Sequence, residues 1–213
     1  MSGCCNARGC DRFFGRGFAR RMASRYRKRG LDASARRMVK FLEAQGLEGA
    51  TVLEIGGGVG EIQIELLKRG AARATNLELS PAYDAEADAL LREAGLQERV
   101  ERRLHDLAAD PQAVEPADIV VLHRVVCCYP DYERLLGAAA DHARRFVVFS
   151  YPPRNAASRL FVASQNLLFR LTRKEFRTFA HPPRALLGVL GDRGLRRRFA
   201  HRGLVWRVAG LER

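Results

Sequence analysis

The chain has 213 residues, of which 47% are hydrophobic and 29% charged, a composition typical of a globular protein rather than a disordered one. At this length we expect a well-buried core. No apolar run approaches the roughly 20 residues that a membrane-spanning helix requires. The arginine-containing N-terminus lacks the apolar stretch of a signal peptide. We therefore expect a cytoplasmic protein whose five cysteines are reduced.

The net charge of +13 is unevenly distributed. Residues 1–37 carry a net charge of +9, residues 38–150 carry −7, and residues 151–213 carry +11. Two basic ends that flank an acidic middle favour attraction to an anionic acceptor, to nucleic acid or to a membrane surface. The alternative is an ordinary solvated surface in a chain that uses arginine almost everywhere.

We predict a flexible leader over residues 1–12 and a single domain over residues 13–213. The leader contains Cys4, Cys5 and Cys10, whose spacing matches no common structural zinc pattern. No metal site is predicted.

The first part of the domain, residues 13–49, is predicted to be helical. Phe14, Phe18, Met22 and Tyr26 recur every four residues among arginines, which is typical of a basic amphipathic helix. We expect this helix to pack beside or over a ligand-binding crevice rather than on a membrane surface. A second helix follows before the first strand.

The segment 51–60 is predicted to be a strand, a tight glycine turn and the start of a helix. Glycines let the backbone turn sharply and let a ligand approach closely, and the helix start presents free N–H groups. The dinucleotide fingerprint would need glycine at position 61, and the end of a P-loop is also missing. An acid before the turn suits a ligand with an ammonium group or hydroxyls. The pattern present is Glu54-x-Gly56-Gly57-Gly58-x-Gly60.

Strands and helices alternate from residue 50 to residue 151, which predicts a doubly wound parallel sheet with a ligand over the carboxyl ends of its first strands. The third strand should be an edge strand and the fourth a central one. The five strands are predicted at 52–55, 74–79, 100–105, 118–123 and 146–150.

In residues 152–213 we predict substrate-side helices and a terminal hairpin. Helices are expected at 160–179 and 183–190, and hairpin strands at 195–199 and 204–208. The whole chain is therefore expected to be an α/β protein with a Rossmann-like sheet of seven strands, mostly parallel, with a C-terminal antiparallel hairpin.

Polar residues stand where successive strands end. Glu78 follows the glycines by about 20 residues, where an acid can accept both hydroxyls of a ribose. Asp106 can accept from an exocyclic adenine amine, with Leu107 against the ring. His123 ends the fourth strand and should face the same crevice.

With these residues the chain resembles the class I S-adenosylmethionine-dependent methyltransferases, and more loosely their magnesium-protoporphyrin methyltransferase-like branch. The motifs cover about residues 30–150. The resemblance implies S-adenosyl-L-methionine as cofactor, with its methionine end at the glycine turn. The cofactor-binding residues it implies are Glu54, Gly56, Gly57, Gly58, Gly60, Glu78, Leu79, Asp106, Leu107 and His123.

A sulfonium methyl group is already activated, so the protein mainly aligns the acceptor about 3 Å away. A carboxylate acceptor needs no base, whereas a hydroxyl or phenol does. His123 and His181 are the candidate bases, although a structural role is the alternative for each. Arg124 is a candidate clamp for an acceptor carboxylate or phosphate.

We expect a methyltransferase that acts on a small-molecule acceptor at oxygen, and an anionic molecule is one candidate acceptor. The alternatives are an RNA methyltransferase that uses the basic N- and C-terminal segments, and a binding protein that keeps the cofactor fold without turnover. Cys127 and Cys128 lack the sequence context of a cytosine-methylating cysteine and are expected to be an inert packed pair.

Overall fold

The computed structural model describes residues 13–213, so the predicted leader and its three cysteines lie outside the described residues. Seven strands of this part of the chain form one sheet in the order β3-β2-β1-β4-β5-β7-β6. Neighbours among the first five strands are parallel, and β7 is antiparallel to both β5 and β6. The strands are β1 (Thr51–Ile55), β2 (Arg73–Glu78), β3 (Val100–Leu104), β4 (Ala117–Leu122), β5 (Ala143–Tyr151), β6 (Arg196–Arg202) and β7 (Arg207–Glu212).

The helices cover both faces of the sheet, and none of those in residues 13–213 is long and apolar enough to cross a membrane. Asp32 begins the second helix, because its carboxylate accepts the backbone N–H groups of Ser34 and Ala35. The helices are α1 (Arg16–Arg29), α2 (Ala33–Ala44), α3 (Glu61–Leu67), α4 (Asp84–Ala94), α5 (Tyr132–Asp141), α6 (Ala156–Leu171) and α7 (Pro183–Gly191).

Alternating strand residues supply two hydrophobic cores, one on each face of the sheet. In β4, Ile119 and Val121 pack under α1 to α4, whereas Val120 and Leu122 pack against α5 and α7. Both sides of this strand are thus fully buried, as its continuous apolar sequence predicted. The predicted edge position of β3 is also confirmed. Together with the terminal hairpin, these features confirm the predicted α/β fold.

Two predicted elements of the C-terminal part have the wrong limits. Helix α6 begins where Asn155 caps it, and the chain leaves the helix near Arg173, which has a φ of 52°, so the predicted helix over 160–179 is too long and starts too late. In the hairpin, Leu204 and Val205 occupy the turn, whereas a strand was predicted there. The reason is the pairing of β7 with β5, which extends from Arg207 to Glu212 and fixes the register.

Gly210 provides a test of the packing between the sheet and α2. A Cβ atom at this position of β7 would overlap the ring of Phe41. We expect Gly210→Ala to lower the free energy of unfolding by about 1–3 kcal/mol, as overpacked core variants do. The control is Gly188→Ala in α7, where a Cβ atom meets nothing within 4 Å, and which should be neutral or slightly stabilising. Denaturant unfolding of both variants measures this, and equal stability of Gly210→Ala and wild type would contradict the packing.

Candidate cofactor and acceptor site

A cavity of about 360 Å³ lies at the carboxyl ends of β1 to β4. Most of the site residues predicted from the sequence line it, because parallel strands bring their carboxyl ends to one edge of the sheet. Gly60 and His181 are not among its lining residues. The predicted residues that line the cavity are Glu54, Gly56, Gly57, Gly58, Glu78, Leu79, Asp106, Leu107, His123 and Arg124.

The glycine turn after β1 forms the cavity floor. Gly56, Gly58 and Gly60 have φ angles of 63°, 55° and 81°, a region that side-chain-bearing residues rarely adopt. A Cβ atom on Gly56 would lie 2.6 Å from Val125 in the loop after β4. The turn therefore needs glycine both for its backbone conformation and for its close approach to the neighbouring loop.

Glu78 at the end of β2 is held in place by backbone N–H groups. Its carboxylate accepts from Gly58 at 2.8 Å, from Leu79 at 2.7 Å and from Ser80 at 3.2 Å. Burial nevertheless raises the pKa of Glu78 above its ordinary value. The acid thus joins the first turn to the second strand and presents a fixed acceptor group to the cavity.

Asp106, after β3, is oriented by a tyrosine that the sequence analysis did not single out. The Tyr129 hydroxyl donates to its two carboxylate oxygens at 3.2 and 3.0 Å, and Ala108 N–H donates to the first of them at 3.0 Å. Leu107 is buried beside it. This carboxylate and the apolar side chain next to it lie where the sequence placed an adenine-binding pair.

Two buried glutamates stand close to the glycine turn. Among residues 13–213, Glu54 accepts a single hydrogen bond, of 3.2 Å, from Gln63 N–H. Burial together with the charge of Glu61 raises the pKa of Glu54 well above its ordinary value. The Oε2 atom of Glu61 is buried and has no hydrogen-bond partner among residues 13–213. The Oε1 atom of Glu61 lies 3.8 Å from Arg25. A buried carboxylate such as Glu54 calls for a positive partner, so the residues present fit a ligand that carries an ammonium and a sulfonium group.

The other end of the cavity is organised by Asp32, at the start of α2. Its Oδ2 atom lies 2.5 Å from an Arg124 guanidinium nitrogen and 3.7 Å from one of Arg25. Burial opposes its charge, but His123, the N–H of Ala35, Ser34 and Arg124 together lower the pKa of Asp32 to about 2. Arg25 also lies 3.8 Å from the Oε1 atom of Glu61, so the two guanidinium groups are held between the carboxylates of Asp32 and Glu61.

His123 is a neutral member of this cluster. Ser34 Oγ donates to Asp32 at 2.7 Å and lies 3.0 Å from His123 Nε2. The serine proton is already used, so Nε2 must be the donor and Nδ1 carries the lone pair. Burial lowers the pKa of His123 from 6.5 to about 4, while Asp32 opposes that shift. The imidazole is therefore uncharged at neutral pH.

Arg124 has a strained backbone that fixes its direction. Its φ is 62°, in the left-handed region that a non-glycine residue adopts only when the surroundings hold it there. Its N–H donates to Ser150 Oγ at 2.8 Å, and its guanidinium carbon lies 5.0 Å from the centre of the Trp206 ring. These contacts hold the side chain at the cavity.

An apolar wall, which we define as Phe14, Phe18, Met22 and Tyr83, closes one side of the cavity. The four-residue spacing of large apolar residues predicted that the first helix packs at the crevice. Phe14, Phe18 and Met22 line the cavity, which confirms this prediction. No sequence pattern pointed to Arg25, because its role depends on tertiary contacts with Asp32 and Glu61.

His181 and Cys127 lie next to this site, and Cys128 lines the cavity. His181 Nε2 is 3.0 Å from the carbonyl oxygen of Tyr129, and its ring stacks against Phe179, so its catalytic role stays a prediction. The Cys127 and Cys128 sulfur atoms are 3.6 Å apart and do not form a disulfide bond. Among the described residues there is no group of three or more metal-ligating side chains.

Known proteins share this architecture. A family model described as a methyltransferase domain matches residues 20–205. The magnesium protoporphyrin IX methyltransferase of Synechocystis PCC 6803, solved with bound S-adenosylhomocysteine, is 22% identical, with a TM-score of 0.69 over 84% of this chain and 81% of that chain. Its structure with bound S-adenosylmethionine gives 20% identity and a TM-score of 0.67 over 96% and 89%. An O-methyltransferase family protein from Burkholderia thailandensis is 19% identical, with a TM-score of 0.66 over 84% and 56%. No curated protein matches the chain.

A seven-stranded sheet with a terminal antiparallel hairpin, and an acid-lined cavity at its glycine turn, define the class I fold of S-adenosylmethionine-dependent methyltransferases. The chain belongs to the methyltransferase domain family, because the family model covers most of its length. It is a methyltransferase with S-adenosyl-L-methionine as cofactor, as the resemblance of its motifs implied.

The titration of His123 tests the cluster around Asp32. The pKa of the buried His123 imidazole should be about 4 instead of 6.5. As the pH falls, the unfolded chain therefore binds a proton at His123 before the folded protein does. His123 should then contribute a loss of stability as the pH falls from about 6.5 to 4. A histidine NMR titration measures the midpoint, and Asp32→Asn, which keeps the helix cap but removes the negative charge, should lower it further. A midpoint near 6.5 in the folded protein would contradict the burial of His123.

Proposed function

We propose that the protein transfers a methyl group from S-adenosylmethionine to an oxygen atom of a small acidic molecule with an apolar body. The observation that carries this proposal is the charge distribution of the cavity. Carboxylates lie at the ends of β1, β2 and β3, whereas guanidinium groups line the cavity from the loop after β4 (Arg124) and from α1 (Arg21 and Arg25). A cationic cofactor and an anionic acceptor are thus favoured at different ends of one cavity.

The cofactor end is assigned by the order of the strands. Asp106, at the β3 end, would bind the adenine amine, and Glu78, at the β2 end, would accept from the ribose hydroxyls. Glu54 and Glu61, at the glycine turn, would face the ammonium and sulfonium charges. When bound, S-adenosylmethionine supplies an activated methyl group, and the buried carboxylates lose the unfavourable energy of an unpaired charge.

The acceptor end combines positive charge with apolar surface. Arg25 and Arg124 lie near the carboxylate of Asp32, and Arg25 also lies near that of Glu61. Arg21 lines the same cavity. A guanidinium group can bind a carboxylate in a bidentate manner. The adjacent apolar wall would contact the body of the acceptor and exclude water from it.

The state of His123 favours a carboxylate as the methylated group. An effective general base has a pKa near the working pH, whereas the pKa of His123 is about 4. A carboxylate is ionised at neutral pH and needs no base. We therefore propose that His123 acts through Asp32 to position Arg124, and that neither His123 nor His181 removes a proton in the reaction.

Cofactor binding can be tested at Glu78. We expect Glu78→Ala to weaken S-adenosylhomocysteine binding by about tenfold or more, because hydrogen bonds to a charged group contribute roughly 1.5–3 kcal/mol. Calorimetric titration measures the affinity. Glu101→Ala on the exposed edge strand β3 is the matched control and should bind normally. Since Glu78 also holds the turn, thermal unfolding of the variant is checked, and unchanged affinity in a folded Glu78→Ala would exclude the residue from the site.

The acceptor can be tested with methyl-labelled S-adenosylmethionine and matched apolar carboxylic acids and phenols. Methyl esters release methanol in alkali, whereas methyl ethers do not, so we expect the label to become volatile after alkali treatment. Arg124→Gln should raise KM for the acid by about tenfold through loss of a charged hydrogen bond, with unchanged S-adenosylhomocysteine affinity. Arg92→Gln, on the exposed side of α4, is the control.

Alkali-stable product from a phenol, with a large loss of kcat in His123→Gln, would contradict the carboxylate proposal and restore His123 as a base. The same assay tests RNA as the methyl acceptor, an alternative that the basic ends of the chain support. Label retained in nucleotides after alkaline hydrolysis of RNA, and binding to RNA that falls steeply with salt, would favour that function.

A further inference from the structure

Helix α6 has an outward apolar face that no described residue covers. We call this face the α6 outer face. Leu160, Leu167 and Leu171 are spaced by seven and four residues and so lie on one side of the helix, and Phe161 and Leu168 lie beside them. A contiguous exposed set of large apolar side chains is uncommon on a soluble surface and marks an interaction site. The exposures are 72% for Leu160, 63% for Phe161, 57% for Leu167, 57% for Leu168 and 72% for Leu171.

The opposite side of α6 packs next to the cavity. Phe169 is the buried residue of this helix and contacts Phe13 and Phe176 with ring centres 5.3 and 5.7 Å apart. Phe14 and Cys128, which line the cavity, pack against the same aromatic cluster. The outer face therefore belongs to an element that flanks the acceptor end of the site.

A second exposed apolar group lies in the turn of the β6–β7 hairpin, near the cavity. Leu204 and Val205, in the turn between β6 and β7, are 95% and 69% exposed. The next residue, Trp206, lies under the guanidinium group of Arg124, which lines the cavity. Two separate exposed apolar groups thus stand on elements that contact the same site.

The segment of the chain that contains α6 is strongly basic, and Arg159 and Arg170 lie on α6 itself. Residues 152–191 contain seven basic side chains and a single acidic one, Glu175. None of the seven forms an ion pair with a described residue. The seven are Arg154, Arg159, Arg170, Arg173, Lys174, Arg177 and Arg184.

We propose that the α6 outer face and the hairpin turn dock the protein on an anionic lipid surface. An apolar stripe flanked by unpaired basic side chains is the arrangement by which a helix lies in a membrane interface, and anionic headgroups would neutralise the basic residues. Pairing of two copies through this face would instead bring Arg159 and Arg170 of each copy together. The charges therefore favour lipid over self-association, and docking would place the acceptor end of the cavity beside the membrane.

Sedimentation with vesicles tests this proposal without any turnover, so it is independent of the proposed acceptor. The wild-type protein should sediment with vesicles that contain phosphatidylglycerol, sediment much less with phosphatidylcholine alone, and be released by high salt. The triple variant Leu160→Gln, Leu167→Gln and Leu171→Gln should bind at least about tenfold more weakly. Glutamine has a good helix propensity, so α6 should be retained.

Leu104→Gln is the matched control, because Leu104 is as exposed as Leu167 but lies on β3 at the other edge of the sheet. It should bind vesicles like wild type. The double variant Arg159→Gln and Arg170→Gln should reduce the preference for phosphatidylglycerol. Equal binding by the triple variant and wild type would overturn the proposal, as would an absence of wild-type binding at low salt. A dimer in size-exclusion chromatography that the triple variant abolishes, without vesicle binding, would assign the face to self-association instead.

Discussion

The carboxylate of Asp32 is the interaction on which the acceptor end of the site depends. It caps α2 through Ser34 and Ala35, and it binds Arg124 from the loop after β4, 92 positions away in sequence. The same carboxylate lies 3.8 Å from the Nε2 atom of His123. A single charged group thus fixes where α2 begins and where the β4 loop points. Because the pKa of Asp32 is lowered to about 2, it stays ionised at any pH at which the protein is expected to work.

At the cofactor end, the site depends instead on the burial of three acids. Glu54, Glu61 and Glu78 all have raised pKa values, with burial as the largest cause. Backbone N–H groups satisfy Glu78, whereas Glu61 retains an oxygen without a partner among the described residues. A positively charged ligand offsets the unfavourable free energy of these buried negative charges more than a neutral ligand does. With the cofactor placed as proposed, its cationic form would bind with a gain that the demethylated product, which lacks the sulfonium charge, does not fully share.

The parts of the site that could be predicted from sequence are those fixed by local spacing. The glycine turn, Glu78 and Asp106 follow from strand ends, because parallel strands place such residues at one edge regardless of side-chain detail. Asp32 and Glu61 gave no comparable signal, since their roles arise from contacts between distant segments. The hairpin turn was misplaced for a similar reason: Leu204 and Val205 have the apolar character of strand residues, and only pairing of β7 with β5 excludes them from the sheet.

The large apolar residues on and around α6 form two groups: some are buried in the core, and others are exposed on the surface. The aromatic cluster of Phe13, Phe14, Phe169 and Phe176 ties α6 to the segment that precedes α1, with a stacked pair of rings 4.5 Å apart. Phe14 belongs both to this cluster and to the cavity wall. Since packed aromatic groups transmit displacements rather than absorb them, a force on the outer face of α6 would reach the wall that contacts the acceptor. The proposed surface docking and the proposed acceptor entry would thus be joined through Phe14.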